Sequence, residues 1–193
     1  MSGLDENRIH RVCANVDMRA VDLPGRVLDV GGGGEGIVGQ LLGDRVVAID
    51  RMKEELLEAA PGPLKIIMDA RDLQFLDGTF DAATAFFSFM YMDRADLPVV
   101  LREIRRVLKP GATLSIWDAV IPPRDDSQRD AFFIQLVIAL PARNVETGYG
   151  VWWNKSVQDA RLFTTLATET GFSVAEAVTE GHVMRLVLRA EPA

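Results

Sequence analysis

The sequence predicts an α/β fold whose doubly wound, mostly parallel sheet of seven strands ends in an antiparallel hairpin. Short apolar runs alternate with helical patterns through the first 118 residues, which is typical of repeated strand–helix–strand units. Most of these runs are apolar throughout, as expected for parallel strands that are covered on both faces. Two further runs flank Glu180-Gly181 near the end of the chain and predict the hairpin.

The first part of the chain contains four predicted strands. Each is a β-branched or apolar run with a glycine or an acidic residue at or near one of its ends. They lie at residues 26–30, 45–50, 64–68 and 80–87. A helix should follow the first strand, because Ile37-Val38 and Leu41-Leu42 pair at helical spacing. A short second helix at 54–57 should end at Pro61-Gly62-Pro63.

The second part of the chain continues this alternation. Asp93 or Asp96 can cap a helix that should end at Pro110-Gly111. Its apolar positions share one face and are Val99, Val100, Ile104, Val107 and Leu108. The remaining predicted elements are a strand at 113–117, a helix at 156–170 and the hairpin strands at 172–178 and 183–188.

The composition of the chain narrows the class of function. The formal net charge is −7 and the pI is about 4.9, so a nucleic acid partner is not expected. Cys13 is the only cysteine, which excludes an internal disulfide and favours the cytoplasm. No apolar run approaches the roughly 18 residues of a membrane span, and no signal peptide is visible. We therefore expect a soluble, cytoplasmic protein.

A glycine-rich loop after the first strand is the strongest functional motif. Gly31, Gly33 and Gly36 have the G-x-G-x-x-G spacing, and Asp50 follows 19 positions after the first of them. This spacing suits a dinucleotide, but bare backbone can approach any cofactor that carries a nucleoside. Asp29 favours the second class, because a carboxylate pointing into the crevice would repel a pyrophosphate and attract a cationic cofactor.

The run Val27-Leu-Asp29-Val-Gly-Gly-Gly-Gly34 resembles the first motif of class I S-adenosylmethionine-dependent methyltransferases. The resemblance implies a Rossmann-like methyltransferase fold and S-adenosylmethionine as the cofactor. It also implies that Asp50 accepts hydrogen bonds from both ribose hydroxyls and that Met52 lies against the adenine. The family expects glycine at the position of Glu35, so this sequence departs from the motif there.

Three further segments match the family in order. Met68-Asp69-Ala70 resembles the third-strand motif, in which the acid accepts from the adenine amine and the next backbone N–H contacts a ring nitrogen. Thr79-Phe80-Asp81 with the run up to Phe87-Ser88 resembles the fourth-strand motif, and Leu108 to Gly111 resembles the joint before the fifth strand. The resemblance covers residues 26–118. The expected cofactor-binding residues are Asp29, Gly31, Gly32, Gly33, Asp50, Arg51, Met52, Asp69, Ala70 and Phe86.

The chain is expected to form one domain over residues 1–193. Residues 1–22 are predicted to be an N-terminal cap segment, and residues 26–118 the cofactor-binding core. Residues 119–154 are predicted to be an insert that shapes the acceptor site, and their apolar stretch at 131–140 belongs in a core or a pocket. Several aromatic residues can belong either to the core or to the acceptor pocket. They are Phe86, Phe87, Phe89, Tyr91, Tyr149, Trp152 and Trp153.

The sequence therefore favours in-line methyl transfer to a small-molecule acceptor. Two alternatives stay open, a nicotinamide-dependent oxidoreductase and a non-catalytic regulator that binds S-adenosylmethionine; a homodimer is also possible. An alcohol, phenol or carbon acid as acceptor would need a base, for which the candidates are His10, Asp17, Tyr91 and Asp118. No metal site is predicted, although Asp118 with Asp125-Asp126 slightly resembles magnesium-dependent catechol methyltransferases.

Overall fold

A computed structural model describes residues 5–125, 128–153 and 157–192. The strands in these ranges are β1 (Ile9–Asp17), β2 (Val27–Val30), β3 (Val46–Asp50), β4 (Leu64–Ile67), β5 (Phe80–Phe86), β6 (Leu108–Ala119), β7 (Ala131–Ala139), β8 (Asn144–Trp152), β9 (Phe172–Glu180) and β10 (Val183–Ala190). The α-helices are α1 (Ile37–Leu42), α2 (Lys53–Glu58), α3 (Leu97–Val107) and α4 (Ala160–Glu169). None of these helices is long and apolar enough to cross a membrane.

Seven strands form one sheet in the order β4-β3-β2-β5-β6-β10-β9. The strands from β2 to β6 are parallel to one another, and β10 is antiparallel to both of its neighbours. The predicted fold class, including the antiparallel C-terminal hairpin, is confirmed. Side chains of β2 alternate between the faces of the sheet, so Val27 and Leu28 enter separate core clusters.

The order of the strands creates a crevice beside β2. The chain moves outward from β2 to β3 and β4, then returns to place β5 on the other side of β2. The loops that leave the carboxyl ends of β2 and β5 therefore diverge. Open α/β sheets bind ligands at such a switch point, because the diverging loops leave room between them.

The predicted cap segment and insert contain a second sheet that the sequence analysis missed. β1 pairs with β7 in parallel from Ile9 opposite Ala131 to Asp17 opposite Ala139, and β8 pairs with β7 antiparallel. The stretch at 131–140 lies in the core, one of the two expected places, with every even-numbered residue from 132 to 140 buried. This three-stranded sheet contributes to the same core cluster as α1.

Three of the differences from the predicted boundaries concern the ends of α3 and α4. Leu108 begins β6 instead of ending α3, because Pro110 disfavours helical backbone before it. Asp96 is the residue before α3, but its carboxylate pairs with Arg71 instead of capping the helix. The last helix begins at Ala160, where Asp159 accepts a hydrogen bond from the Leu162 backbone N–H; Ser156 lies outside the described residues.

Candidate functional site

A cleft of about 620 Å³ lies at the carboxyl edge of the large sheet, where the loops after β2, β3, β4 and β5 meet. Eight of the ten predicted cofactor-binding residues line it: Gly31, Gly33, Asp50, Arg51, Met52, Asp69, Ala70 and Phe86. Asp29 and Gly32 do not. The cleft has the size of pockets that hold nucleoside-bearing cofactors.

Hydrogen bonds to neighbouring elements fix the glycine loop after β2. The backbone N–H groups of Gly31 and Gly32 donate to the Ile49 carbonyl at 2.8 and 3.0 Å, and that of Gly34 donates to the Glu55 carbonyl at 2.9 Å. Gly31 has a φ of +74°, and a Cβ atom on it would lie 2.4 Å from Cβ of Ser88. Glycine is required there both for the backbone conformation and for the close contact with the loop after β5.

Gly31→Ala is expected to lower the free energy of unfolding by about 2–4 kcal/mol, because the methyl group meets Ser88 and the positive φ is strained. Chemical denaturation measures this. Gly78→Ala is the matched control, since Gly78 has a φ of +64° with nothing within 4 Å of the added atom. The control should lose only about 1–2 kcal/mol. Equal losses in both variants would show that contact with Ser88 contributes nothing.

Asp29 lies beneath the glycine loop instead of pointing into the crevice. Its side chain is buried, it accepts a 2.7 Å hydrogen bond from the Thr84 hydroxyl, and a Cβ on Gly32 would lie 2.6 Å from its Oδ2. Burial raises the pKa of Asp29 to about 7. The expectation that its charge faces the ligand is therefore wrong, because the loop folds over the carboxyl group.

Asp50, at the end of β3, has one carboxylate oxygen committed and the other directed toward the cleft. Oδ1 accepts a 2.9 Å hydrogen bond from the Met52 backbone N–H. A Cβ on Gly33 would lie 3.0 Å from Oδ2, so the bare glycine leaves this oxygen accessible. Met52 is 55 % exposed beside it. The pair offers a hydrogen-bond acceptor and an apolar surface, the chemistry that a ribose and a purine ring need.

Asp69 is held by arginine at the far end of the cleft. Its Oδ1 accepts from the backbone N–H and Nε of Arg71, and its Oδ2 accepts from Nη2 at 2.7 Å. Hydrogen bonds from Arg71 lower the pKa of Asp69 to about 2, and Arg51 Nε lies 3.6 Å away. Arg71 also donates to Asp96 at 3.0 Å. The sequence analysis did not identify this ion-pair network, which leaves Asp69 fewer lone pairs for a ligand.

Glu35, the departure from the family motif, contacts β8. Its carboxylate accepts from the Thr147 hydroxyl and, at 2.9 Å, from the Tyr149 hydroxyl. The Tyr149 ring stacks on Phe87 with centroids 5.2 Å apart. On the same strand, the Gly150 backbone N–H donates to the Tyr91 hydroxyl at 3.2 Å. These contacts join the insert to both loops of the crevice.

The aromatic residues whose location was open divide between cleft and core. Those that line the cleft are Phe86, Phe87, Tyr91 and Tyr149. Phe89 is buried against Phe163 of α4, and Trp153 is buried with its indole N–H donating to the Pro122 carbonyl at 2.9 Å. Trp152 is exposed on β8. Phe87 has a φ of +48°, which is rare for a bulky residue and marks the turn where β5 enters the cleft.

Tyr91 is the one candidate base of the four that lines the cleft. Burial raises its pKa to about 12, so near neutral pH it is a phenol that can donate a hydrogen bond. His10 contacts Arg129, and Asp17 is paired with Arg19 at the end of β1.

Asp118 is fully buried and has a structural role. Its carboxyl group accepts hydrogen bonds from the backbone N–H groups of Met90 and Ala119 and from the Gln158 amide. These contacts leave it no access to the cleft. Among the described residues, which include Asp125 but not Asp126, no three His, Cys, Asp or Glu side chains are grouped to hold a metal ion.

The cleft fits S-adenosylmethionine on its own geometry. Gly31, Gly33 and Gly34 give one wall of bare backbone, and Gly33 packs so closely on α2 that an added Cβ would lie 2.5 Å from Cβ of Glu55. Asp50 offers an acceptor for a diol, and Met52 and Met68 offer apolar surfaces for a base. Cationic side chains line only the far end, where Arg51 and Arg71 pair with Asp69.

Comparisons with known proteins agree with this geometry. Residues 28–116 match the family described as the methyltransferase domain. The 2-phytyl-1,4-naphtoquinone methyltransferase of Synechococcus elongatus is 50 % identical over 26 % of this chain and 21 % of its own length. The demethylmenaquinone methyltransferase of Thermus thermophilus is 35 % identical over 55 % and 54 %. The matches thus span about a fifth and about half of these relatives.

A solved structure extends the comparison to most of the fold. A S-adenosylmethionine-dependent methyltransferase from Methanosarcina mazei superposes with a TM-score of 0.66 at 15 % identity, covering 90 % of this chain and 95 % of that one. At this identity the likeness shows the fold alone. The domain match over residues 28–116, the relatives and the shared fold make the chain similar to S-adenosylmethionine-dependent methyltransferases.

Proposed function

We propose that this protein transfers a methyl group from S-adenosylmethionine to a small-molecule acceptor. The observation that carries the proposal is the cleft at the switch point between β2 and β5, where a bare glycine wall faces the free oxygen of Asp50. The cofactor supplies a methyl group bound to a positively charged sulfur. The acceptor attacks the methyl carbon in line with the bond to sulfur, and the positive charge on sulfur is lost as that bond breaks. Alignment of the acceptor with the methyl group and exclusion of water from the site therefore provide most of the catalysis.

Each predicted residue has a place in this proposal. Gly31 and Gly33 let the backbone approach the cofactor, and Asp50 accepts from the ribose hydroxyls beside Arg51 and Met52. Asp69 and Ala70 face the adenine, and Phe86 lies at the floor. Asp29 and Gly32 act from beneath, because the buried carboxyl group supports the loop.

The cleft also supports a small organic acceptor. Tyr91 and Tyr149 line it, and each carries one hydroxyl on an aromatic ring. Two of the relatives are named as quinone methyltransferases, which is consistent with a small organic acceptor. An amine or thiolate needs no base from the protein, whereas a phenol or carbon acid needs a positioned proton acceptor. Carboxylates such as Asp93 and Asp96 line the cleft as well as Tyr91, so the described lining is compatible with both kinds of acceptor.

The other expectations about partners stay predictions. The net charge of −7 disfavours nucleic acid, and the single cysteine favours the cytoplasm. A homodimer is likewise untested. Of the two alternative functions, a nicotinamide-dependent oxidoreductase has no support from the family match, whereas a regulator that binds the cofactor without turnover would have the same cleft.

Isothermal titration calorimetry with S-adenosylhomocysteine tests the proposal first. We expect binding of one molecule per chain and no binding of NADH. Incubation of labelled S-adenosylmethionine with a panel of small amines, thiols and phenols then separates an enzyme from a regulator. NADH binding without S-adenosylhomocysteine binding would contradict the proposal, and cofactor binding without label transfer to any acceptor would favour the regulator.

A further inference from the structure

Tyr149 bridges the two loops that form the crevice. Its hydroxyl donates to Glu35 on the loop after β2, and its ring stacks on Phe87 at the end of β5. Thr147, two positions earlier on the same face of β8, donates to the same carboxylate. One side chain of the insert is therefore fixed to both sides of the proposed cofactor site.

The hydrogen bonds of Glu35 can transmit motion of the glycine loop. Glu35 is flanked by Gly34 and Gly36, whose backbone N–H groups donate to the carbonyls of Glu55 and Gly33. A displacement of this loop therefore moves the carboxylate that holds β8. The glycine that the family expects at position 35 would have no side chain with which to make this connection.

A second cavity, of about 430 Å³, lies against β8. It shares Gly34, Glu35, Glu55, Tyr91 and Tyr149 with the cofactor cleft and is also lined by Gly148 of β8. The Tyr91 hydroxyl oxygen accepts a hydrogen bond from the Gly150 N–H, and this contact holds the hydroxyl group in place. Gly148 and Tyr149 of β8 thus form a wall beside Tyr91, and Tyr149 faces both cavities.

We propose that Glu35 and Tyr149 are positioning residues that fasten β8 to the cofactor loop, so that cofactor binding orders the wall against which the acceptor lies. The inference rests on the proposed function and extends it to the coupling between the two parts of the site. The glycine loop that would contact the cofactor carries Glu35, so we expect cofactor binding to restrict the motion of β8 as well. The two hydroxyls of β8 then share one carboxylate, and Tyr91 stays aligned by Gly150.

Hydrogen exchange with and without saturating S-adenosylhomocysteine tests this directly and needs no acceptor. In the wild type we expect the ligand to slow exchange in the glycine loop and, by about tenfold, at the β8 amides around Thr147 to Val151. Glu35→Ala should keep the slowing in the glycine loop and lose most of it in β8. Glu35→Gln keeps one accepting oxygen and should restore part of the effect.

Two further variants separate positioning from a general loss of stability. Glu58→Gln removes a neighbouring carboxylate that lines the same cavity, and it should behave as the wild type. Tyr149→Phe keeps the ring on Phe87 but loses the hydroxyl, so it should resemble Glu35→Ala and provides the test if that variant does not fold. Exchange in β5 and β10 reports whether each variant is folded.

The outcomes distinguish this inference from the proposed function. Absence of ligand-dependent slowing anywhere in the wild type would overturn both. Slowing confined to the glycine loop in the wild type, or equal slowing of β8 in Glu35→Ala and the wild type, would overturn the role of Glu35 alone. Slowing of β8 that is lost in Tyr149→Phe and retained in Glu58→Gln supports it.

Discussion

Asp50→Ala is expected to weaken binding of S-adenosylhomocysteine by about 30- to 100-fold. The carboxylate at the end of β3 has one oxygen directed toward the cleft, and a vicinal diol can donate two hydrogen bonds to such a group. One hydrogen bond to a charged acceptor contributes about 1.5–3 kcal/mol, so the loss of one bond at the oxygen that faces the cleft, about 2–3 kcal/mol, corresponds to this change in affinity. Titration calorimetry measures it directly.

Two variants serve as controls for Asp50→Ala. Asp50→Asn keeps an oxygen and the side-chain volume, so it should lose less affinity than the alanine variant. Asp44→Ala removes an exposed carboxylate just before the same strand and should bind as the wild type does. Affinity unchanged in Asp50→Ala would exclude this residue from the ligand contact, and an equal loss in Asp44→Ala would point to a general charge effect.

The cofactor half of the molecule is predictable from sequence because its motifs are local. The strands at 26–30 and 45–50 are continuous apolar runs, and each is followed within two residues by the group that lines the cleft. A parallel sheet brings the carboxyl ends of such strands to one edge whatever the rest of the chain does. Asp50 and Gly31 therefore lie where the sequence places them.

The acceptor half is not predictable in this way because its contacts are between distant segments. β1 pairs with β7 across more than 100 residues, and the alternating pattern of residues 9–17 is too polar to stand out alone. Glu35 looked like an exception to a glycine motif, and its partners Thr147 and Tyr149 lie on a strand that the sequence analysis left as an insert. Only tertiary structure joins them.

Two acidic residues at strand ends are buried in the protein instead of facing the crevice. Asp29 and Asp118 each end an apolar run, and a strand-end carboxylate is expected to face the crevice. The glycine loop covers the first, and three hydrogen bonds from the loop after β5, from β6 and from Gln158 enclose the second. Sequence position places such a residue at the edge of the sheet, but only packing decides whether solvent or protein surrounds it.

These two buried acids should make the stability of the protein fall as the pH rises. Burial raises the pKa of Asp29 and the pKa of Asp118 from 3.8 to about 7. Between about pH 4 and pH 7 the folded state therefore binds more protons than the unfolded state, so the free energy of unfolding decreases across this range. A rise in pKa of this size lowers the free energy of unfolding by at most about 4 kcal/mol for each group. The full loss is reached above the folded-state pKa.

Asn variants should separate the two groups. Asp29→Asn removes the ionisation but leaves an oxygen to accept from Thr84, so its stability relative to the wild type should rise by about 1–4 kcal/mol between about pH 5 and pH 8. Asp118→Asn also loses the ionisation, but its amide would face the N–H of Met90 or of Ala119. It should therefore be less stable than the wild type by about 1–3 kcal/mol near pH 5 and recover part of this at higher pH.

Denaturant unfolding of both variants across this pH range provides the measurement, and Asp69→Asn provides a control with no expected pH dependence in this range. Hydrogen bonds from Arg71 hold the pKa of Asp69 at about 2, so its contribution to stability is present above about pH 4 and is lost as the pH falls toward 2. The difference between Asp69→Asn and the wild type should thus stay constant between about pH 5 and pH 8. If the stability difference between Asp29→Asn and the wild type is also constant, the Asp29 carboxyl group ionises normally in the folded protein. Water would then have to reach this group beneath the glycine loop, and the loop would be less tightly closed over β2.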